Sequence, residues 1–314
     1  MGAARTPRRN AEPLPGGTRE TGRTQGLTLG SWRRAGRAAL AEAGVESAAA
    51  EADFLAAHAL HLTRLELALE RDRVLIVPER RRLAALLHKR LQRFPLQYLL
   101  GDVDFAGVRL LVRPGVFIPR PETEGLVERV QAALPANARA LVVDVGTGTG
   151  AIALALVAAN PGLHAWGTDV SAAALCLARR NARELGLGER ARFFSGTLTL
   201  PVEARRFPAP LAAVVSNPPY VALRERGGLA PEVRDHEPAS ALFARGNGMA
   251  VIRSLAPRAA RLLPPGGLLA LEIGEEQGAR VRAILGGSRR WTDVRIERDL
   301  AGKDRYALAR RAGD

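Results

Sequence analysis

The sequence has one cysteine and no long apolar segment. A single cysteine, Cys176, excludes an internal disulfide framework and a cysteine-rich zinc site. We expect Cys176 to lie within a helix as a small buried hydrophobic residue. The longest unbroken apolar run, 151–159, has nine residues, whereas a membrane-spanning helix needs about 20. The composition therefore predicts a cytoplasmic protein with no membrane partner.

Lysine is almost missing as well. Lys89 and Lys303 are the two lysines among 46 basic residues, so arginine carries most of the formal net charge of +14. A basic balance can indicate an acidic partner such as a nucleic acid. The alternative is a composition bias in which Arg and Ala replace Lys and Ser. The arginines are spread along the chain, which favours the bias, so we do not expect nucleic-acid binding to be the primary function.

The length of 314 residues favours two domains. Residues 1–28 are rich in proline and glycine and poor in apolar residues, which predicts a disordered tail. An organelle transit peptide or a wrongly assigned start codon are alternative explanations of this tail. We predict a helical domain at 29–94, a connector at 95–116 and a second domain at 117–314.

Helix signals fill the segment 29–94. Gly44 ends a first helix, Ser47 can cap a second, and Thr63 with Glu66 forms a capping box for a third. Pro78 suits the first turn of a further helix. That helix has an apolar face at Leu83, Leu86, Leu87 and Leu91.

Short β-rich runs alternate with helical runs after the connector. The predicted strands are 141–145, 165–169, 192–194, 213–215, 267–273 and two late ones around 291–297 and 305–310. The predicted helices are 151–159, 171–185, which Ser171 caps, and 249–263. This alternation predicts an α/β fold with a mostly parallel sheet covered on both faces.

A glycine-rich loop follows the first of these strands. Its residues are Gly146, Thr147, Gly148, Thr149 and Gly150. Alternate glycines let the backbone turn tightly and approach a ligand closely. Gly146, Gly148 and Ala151 also satisfy the dinucleotide fingerprint, so NAD is one candidate ligand. A glycine turn without any ligand is the other alternative.

Two acidic residues favour S-adenosylmethionine over NAD. Asp144 precedes the loop, where it would repel a pyrophosphate and attract a cationic ligand. Asp169 closes the next strand, where a carboxylate can bind ribose hydroxyls. A ribose joined to a cationic tail without phosphate describes S-adenosylmethionine.

The run Asn217, Pro218, Pro219 and Tyr220 follows a later strand, at the end where open α/β sheets bind ligands. A planar amino nitrogen is a poor nucleophile because its lone pair is delocalised. The Asn217 side-chain oxygen and the Pro218 carbonyl could accept its two hydrogens and orient it, on a backbone that prolines stiffen. Tyr220 offers an aromatic face for a planar group.

The chain resembles the HemK/PrmC-type protein-glutamine N5-methyltransferases, which modify peptide chain release factors. The resemblance covers about 29–310. It rests on Pro95-Leu96-Gln97-Tyr98, Gly101, Phe105, the run from Pro114 to Glu124 with its Ile-Pro-Arg-Pro-Glu-Thr-Glu, Val233 to Pro238, Leu271 to Gly274 with Gln277, and Asp299 to Arg305.

The resemblance implies a Rossmann-like seven-stranded, S-adenosylmethionine-dependent methyltransferase domain behind an N-terminal helical domain that helps to hold the release factor. The substrate would be the glutamine of the factor's Gly-Gly-Gln motif. By motif match, residues 146–150, Asp169, Thr197 and Asn217 bind the methyl donor. Residues 217–220 hold the glutamine amide, with Asn217, Pro218 and Tyr220 as the catalytic residues. For Arg120 and Glu122 a structural role is at least as well supported as a contact.

Three positions depart from the family pattern. Ser195-Gly196-Thr197 replaces Ser-Asp-aromatic, Leu211-Ala212 replaces Phe-Asp, and Asn247 replaces Asp. Two other functions stay open: an amino methyltransferase acting on adenine or cytosine of RNA or DNA, and a non-catalytic binding protein that kept the fold.

Overall fold

The computed structural model describes residues 26–135 and 139–313. Residues 1–25 of the predicted tail 1–28 therefore lie outside the described residues. Thr28, at the end of that tail, caps the first helix, and its side chain accepts a hydrogen bond from the Ser31 backbone N–H. In the part of the chain that is described, no helix is long and apolar enough to cross a membrane.

Helices dominate the amino-terminal part. They are α1 Leu29–Glu42, α2 Ala48–Leu60, α3 Arg64–Leu69, α4 Val77–Leu91 and α5 Leu96–Leu100. A hairpin of β1 Asp102–Phe105 and β2 Val108–Leu111 follows, and then α6 Pro121–Ala133.

Strands and helices alternate over the rest of the chain. They are β3 Ala140–Val145, α7 Ala151–Ala159, β4 Leu163–Asp169, α8 Ala172–Glu184, β5 Ala191–Ser195, α9 Leu200–Glu203, β6 Leu211–Ser216, a 3-10 helix Leu223–Gly228, α10 Pro231–His236, α11 Ala239–Leu242, α12 Ala250–Leu262, β7 Leu268–Glu272, α13 Gly278–Gly286, β8 Trp291–Arg298 and β9 Asp304–Arg311.

Most of the predicted helix signals in 29–94 are confirmed. Thr63 and Glu66 form a capping box at α3, with the Thr63 N–H donating to the Glu66 carboxylate at 2.6 Å. Pro78 lies in the first turn of α4. The prediction for Ser47 is wrong, because its backbone (φ −91°, ψ 31°) is not extended and its side chain makes no capping bond.

The main sheet has the strand order β5-β4-β3-β6-β7-β9-β8. β3 pairs in parallel with β4 and β6, and β9 is antiparallel to both of its neighbours. Apolar residues of α6, α7 and α8 pack on one face of the sheet, and those of α12 and α13 pack on the other. The predicted seven-stranded, doubly covered α/β fold is therefore confirmed.

Cys176 corrects another expectation. It lies within α8, as expected, but it is exposed. The buried face of α8 is formed by Ala174, Leu175, Leu177, Ala178, Asn181 and Ala182. Position 176 falls between the two buried pairs of the first turns, so its side chain points away from the sheet.

An ion cluster centred on a buried arginine joins helices α1–α5, here called the helical module, to the segment that follows β6. The Arg90 guanidinium, on α4, forms ion pairs with Glu51 of α2 and Glu232 of α10. Arg93 binds the second oxygen of Glu232 at 2.9 Å. The Arg90 side chain is only 4% exposed. A nearby ring contact between Phe94 and His236 adds to the same junction.

Removal of the Arg90 guanidinium should be costly, because it leaves Glu51, 14% exposed, and one oxygen of Glu232, 16% exposed, largely shielded from water without a counter-charge. We expect Arg90→Ala to lower the free energy of unfolding by about 3–5 kcal/mol. Arg109→Ala is the matched control: Arg109 pairs with Asp102 but is 71% exposed. Its loss should cost at most about 1 kcal/mol. Urea denaturation of the three proteins gives the comparison, and equal costs would contradict a special role for the cluster.

Candidate functional site

A cavity of about 290 Å³ opens at the carboxyl ends of β3, β4 and β6. Parallel strands bring their carboxyl ends to one edge of a sheet, so the loops that follow them meet there. The residues predicted for the site line this cavity: Gly146, Thr147, Gly148, Thr149, Asp169, Thr197, Asn217, Pro218 and Pro219. Gly150 and Tyr220 are not among the lining residues: Gly150 is the N-cap of α7, and Tyr220 follows Pro219 in the chain.

The glycine loop is fixed by bonds to β4. The N–H groups of Gly146 and Thr147 both donate to the Thr168 carbonyl, at 2.8 and 3.0 Å. The Gly148 N–H donates to the Asp169 carboxylate at 2.9 Å. Gly150 N donates within the loop, to the Thr147 carbonyl. Few loop N–H groups are therefore left to cradle a pyrophosphate, as a dinucleotide would require.

Asp144 lies completely buried beneath the loop. Its Oδ2 accepts a hydrogen bond from the Thr147 hydroxyl at 2.6 Å, and its Oδ1 is without a hydrogen-bond partner among the described residues. Burial raises the pKa of Asp144 to about 7, and the nearby Asp169 carboxylate also raises it. Asp144 is not among the residues that line the cavity, so it acts on the site by holding Thr147 and not by touching a ligand.

Asp169 supplies the charge of the cavity wall. It is the one charged residue among the described residues that line the cavity, which include neither lysine nor arginine. Its Oδ1 accepts a hydrogen bond from the Ser171 N–H at 2.8 Å, which fixes the carboxylate on the rim. A wall that carries one negative charge fits a cationic ligand with hydroxyl groups and does not fit a pyrophosphate, so the NAD alternative is disfavoured.

The departure at Gly196 has a local steric reason. Gly196 has φ +146°, and a Cβ there would lie 2.5 Å from Cγ of Pro201. An aspartate at this position would require the Pro201 ring, on α9, to shift. Thr197 lines the cavity with an exposed side chain, so it lies where the sequence places a donor contact.

The Asn-Pro-Pro-Tyr run leaves β6 beside β3. The Ser216 hydroxyl donates to the Val145 carbonyl at 2.6 Å and so links the ends of the two strands. The Asn217 Nδ2 donates to the Thr123 hydroxyl oxygen at 2.9 Å. The Gln277 side-chain amide donates to the Tyr220 carbonyl at 2.8 Å. The run is thereby held at both ends.

A buried carboxylate lies behind this run. Glu272, at the end of β7, accepts hydrogen bonds from the Thr123 hydroxyl at 2.7 Å and from the Tyr220 hydroxyl at 3.2 Å. Burial raises the pKa of Glu272, while the two hydroxyls and the Arg305 guanidinium lower it. Burial is also the main cause that raises the pKa of Tyr220, and the charge of Glu272 raises it further. The phenol therefore keeps its proton.

The sequence gave no role to three of these contacting residues. Thr123 stands in the run from Pro114 to Glu124, and Glu272 and Gln277 stand in the run 271–277. Membership of these runs, which carry the family resemblance, is the only sequence signal that Thr123, Glu272 and Gln277 have. Their partners lie far away in the chain: Thr123 and Glu272 are 149 positions apart.

Arg120 and Glu122 have structural contacts. The Arg120 guanidinium binds the buried carboxylate of Glu237, which also accepts the Ile118 N–H at 3.2 Å. The carbonyl of Glu122 accepts the Tyr306 hydroxyl at 2.7 Å, while the residue itself is exposed.

Gly248 abuts the Asn-Pro-Pro-Tyr run, and this close approach is testable. A Cβ on Gly248 would lie 1.9 Å from the Tyr220 carbonyl oxygen, whereas a Cβ on Gly266 would meet nothing within 4 Å. Both residues have φ +79°, so they share the same backbone strain. Gly266→Ala should cost about 1–2 kcal/mol of unfolding free energy. Gly248→Ala should cost more, because the Tyr220 backbone must move; equal urea midpoints would contradict this packing.

Two family models match the chain in succession. The PrmC N-terminal domain model matches residues 31–101, and the methyltransferase small domain model matches residues 108–262.

Whole-chain relatives agree with these matches. The chain is similar to the release factor glutamine methyltransferase of Gloeobacter violaceus, with 42% identity over 87% of this chain and 96% of the relative. It is also similar to that of Caulobacter vibrioides, with 36% identity over 90% of this chain and 96% of the relative. A solved protein-(glutamine-N5) methyltransferase from Alicyclobacillus acidocaldarius aligns at 26% identity over 62% of this chain and 95% of that one, with a TM-score of 0.37.

Proposed function

The chain belongs to the family of release factor glutamine methyltransferases, and from this premise we propose that it methylates the glutamine side-chain amide in the Gly-Gly-Gln motif of peptide chain release factors, with S-adenosylmethionine as donor. One observation carries the proposal. The glycine loop with Asp169 and the Asn-Pro-Pro-Tyr run border the same cavity, so a donor and an acceptor amide can meet there.

The donor side of the cavity suits S-adenosylmethionine. When bound, this molecule supplies an electrophilic methyl group on a positively charged sulfur. Asp169 would accept hydrogen bonds from the ribose hydroxyls, and the backbone of 146–150 would border the amino-acid end. Thr197 would contact the adenine edge, and the exposed side chain of Val170 offers apolar surface beside it. The absence of a lining cation among the described residues supports a cationic ligand.

The acceptor side suits a carboxamide. With Nδ2 bonded to Thr123, the Asn217 Oδ1 is free to accept one amide hydrogen, and the Pro218 carbonyl would accept the other. Two acceptors fix the nitrogen and favour its pyramidal form, and Tyr220 would border the planar group. The prolines hold this backbone rigid before the substrate arrives. Alignment of this kind can contribute roughly 7–11 kcal/mol to the barrier reduction.

The helical module is proposed to contribute to release-factor binding. Residues 31–101 match the PrmC N-terminal domain model. The Arg90 cluster attaches the module to the segment after the Asn-Pro-Pro-Tyr run, here called the acceptor run. A protein acceptor is favoured over RNA or DNA, and nucleic-acid binding is proposed to be secondary. The expected cytoplasmic location also stays a proposal.

The departures from the family pattern do not favour a non-catalytic protein. Pro201 packs against Gly196 where a side chain would lie, so local packing explains the glycine. Asn247 has φ +56°, a left-handed conformation that asparagine adopts more readily than most residues. Its side chain accepts a hydrogen bond from Arg224 at 3.1 Å, away from the cavity wall.

The decisive experiment offers labelled S-adenosylmethionine two acceptors in parallel, a purified release factor and total RNA. We expect label on the release factor alone, and no label when the Gly-Gly-Gln glutamine is replaced by alanine. Asn217→Ala should abolish transfer while donor binding survives, because it removes an acceptor of the amide hydrogen.

Each other outcome has a definite meaning. Label on RNA alone would contradict the protein substrate and favour a nucleic-acid amino methyltransferase. Label on neither acceptor, with no donor binding in calorimetry, would favour a non-catalytic protein. Near-normal transfer by Asn217→Ala would contradict the role given to the acceptor run.

The donor site has its own test. Asp169→Asn removes the charge and one of the two oxygens that accept the Gly148 and Ser171 N–H groups, and we expect the donor dissociation constant to rise about 10- to 100-fold, the value of a hydrogen bond to a charged group. Asp72→Asn is the control, because Asp72 is an exposed aspartate outside the cavity lining. Calorimetric titration with S-adenosylmethionine measures both. An unchanged affinity in Asp169→Asn would show that Asp169 does not bind the donor.

A further inference from the structure

One connected polar cluster lies at the acceptor side of the cavity and consists of Thr123 and Asn217, which line it, with Glu272 and Tyr220. Thr123 is 3% exposed and Glu272 is 1% exposed, so water does not compete for their bonds. Both oxygens of the Glu272 carboxylate accept hydrogen bonds from hydroxyl groups: Oε2 accepts from Thr123 and Oε1 accepts from Tyr220. The cluster joins the start of α6, the end of β7 and the run after β6.

The directions of these hydrogen bonds are linked. A threonine hydroxyl carries a single hydrogen, and Thr123 donates it to Glu272. Towards Asn217 the same hydroxyl can therefore only accept. It faces the NH₂ end of the Asn217 amide, at 2.9 Å. The opposite end of that amide, Oδ1, is left for the cavity.

The remaining contacts support the carboxylate form of Glu272. The Arg305 guanidinium lies against the Tyr220 hydroxyl, at 3.5 Å, and donates to the Ile273 carbonyl at 3.2 Å. Its charge lowers the pKa of Glu272, whereas burial, the larger effect, raises it. A carboxylate can accept from both hydroxyls at once, whereas a protonated acid would turn one of these contacts into a donor.

We propose that Glu272 is a positioning residue that, through Thr123, fixes the side-chain amide of Asn217 with Oδ1 towards the cavity, so that the site accepts a carboxamide N–H and rejects a carboxylate oxygen. The inference rests on the proposed function, because it concerns the acceptor amide. It goes beyond that function by giving the selectivity to a residue outside the acceptor run.

The test reverses the directions of the hydrogen bonds that run from Glu272 through Thr123 to Asn217, here called the relay, without changing the shape of the side chains. In Glu272→Gln the new amide can donate to the Thr123 oxygen, which frees the Thr123 hydrogen for Asn217 and turns the Asn217 NH₂ towards the cavity. We expect kcat/KM for the release factor to fall by about 10- to 100-fold, as for the loss of a correctly directed hydrogen bond. Donor affinity should stay within about twofold, because Asp169 and the glycine loop are unchanged.

Binding gives a readout that a merely structural role would not move. A release factor whose acceptor glutamine is replaced by glutamate presents a carboxylate to the site. The wild type should bind it more weakly than the native factor, because Asn217 Oδ1 repels it. Glu272→Gln should shift this preference towards the glutamate form, since an NH₂ group then faces the cavity.

The Thr123 variants test the relay itself. Thr123→Val keeps the shape and removes the hydroxyl, so kcat/KM should fall as in Glu272→Gln, while Thr123→Ser should retain activity. The Glu272→Gln/Thr123→Val double variant should be little worse than either single one, because both interrupt one path. Glu128→Gln, on the exposed face of α6, is the matched control.

The contradicting outcomes are distinct. If Glu272→Gln kept the wild-type kcat/KM, the relay would be overturned. If Glu272→Gln failed to fold, wild-type kcat/KM in Thr123→Val would overturn it. A loss in Glu272→Gln with full activity in Thr123→Val would place the action of Glu272 on Tyr220 and also overturn it. A shared loss without a shift in the glutamine-to-glutamate preference would reduce the cluster to a structural support. A wild type that methylates no release factor would instead overturn the proposed function.

Discussion

The whole site depends on the parallel pairing of β3 with β4 and β6. This pairing places three carboxyl ends side by side, so the glycine loop, Asp169 and the Asn-Pro-Pro-Tyr run reach one cavity although they span more than seventy positions of sequence. The hydrogen bond from the Ser216 hydroxyl to the Val145 carbonyl links the ends of β6 and β3. Strand register thus determines the distance between the donor side and the acceptor side.

Features that come from local sequence were predictable. β3 is buried at every position, and its run of aliphatic residues around Asp144 indicates a strand covered on both faces. The Thr63–Glu66 capping box and the Ser171 cap were likewise confirmed, because each depends on residues three positions apart. Candidate site residues could be placed at one edge of the sheet because their strands were recognisable and parallel.

The features that were missed depend on distant partners or on backbone conformation. Glu272 acquires its role from Thr123 and Tyr220, which no local pattern brings to it. Gly196 is explained only by the position of Pro201 against it. Ser47 has the residue type of a cap but the wrong backbone angles. Cys176 is exposed because it falls between the buried pairs 174–175 and 177–178 of α8, so its residue type alone is a poor guide to its burial.

The Arg90 cluster has a consequence for the order in which the protein is completed. Arg90 and Glu232 are separated by 142 positions in the chain, and the intervening residues contain the glycine loop and the acceptor run. At ribosomal rates of about 5–20 residues per second, Glu232 is made roughly 7–30 s after Arg90. During that interval the helical module holds Arg90 against Glu51 alone. Its last counter-charge arrives only with the segment that follows the acceptor run, so the charges of the module are balanced only after the glycine loop and the acceptor run have been made.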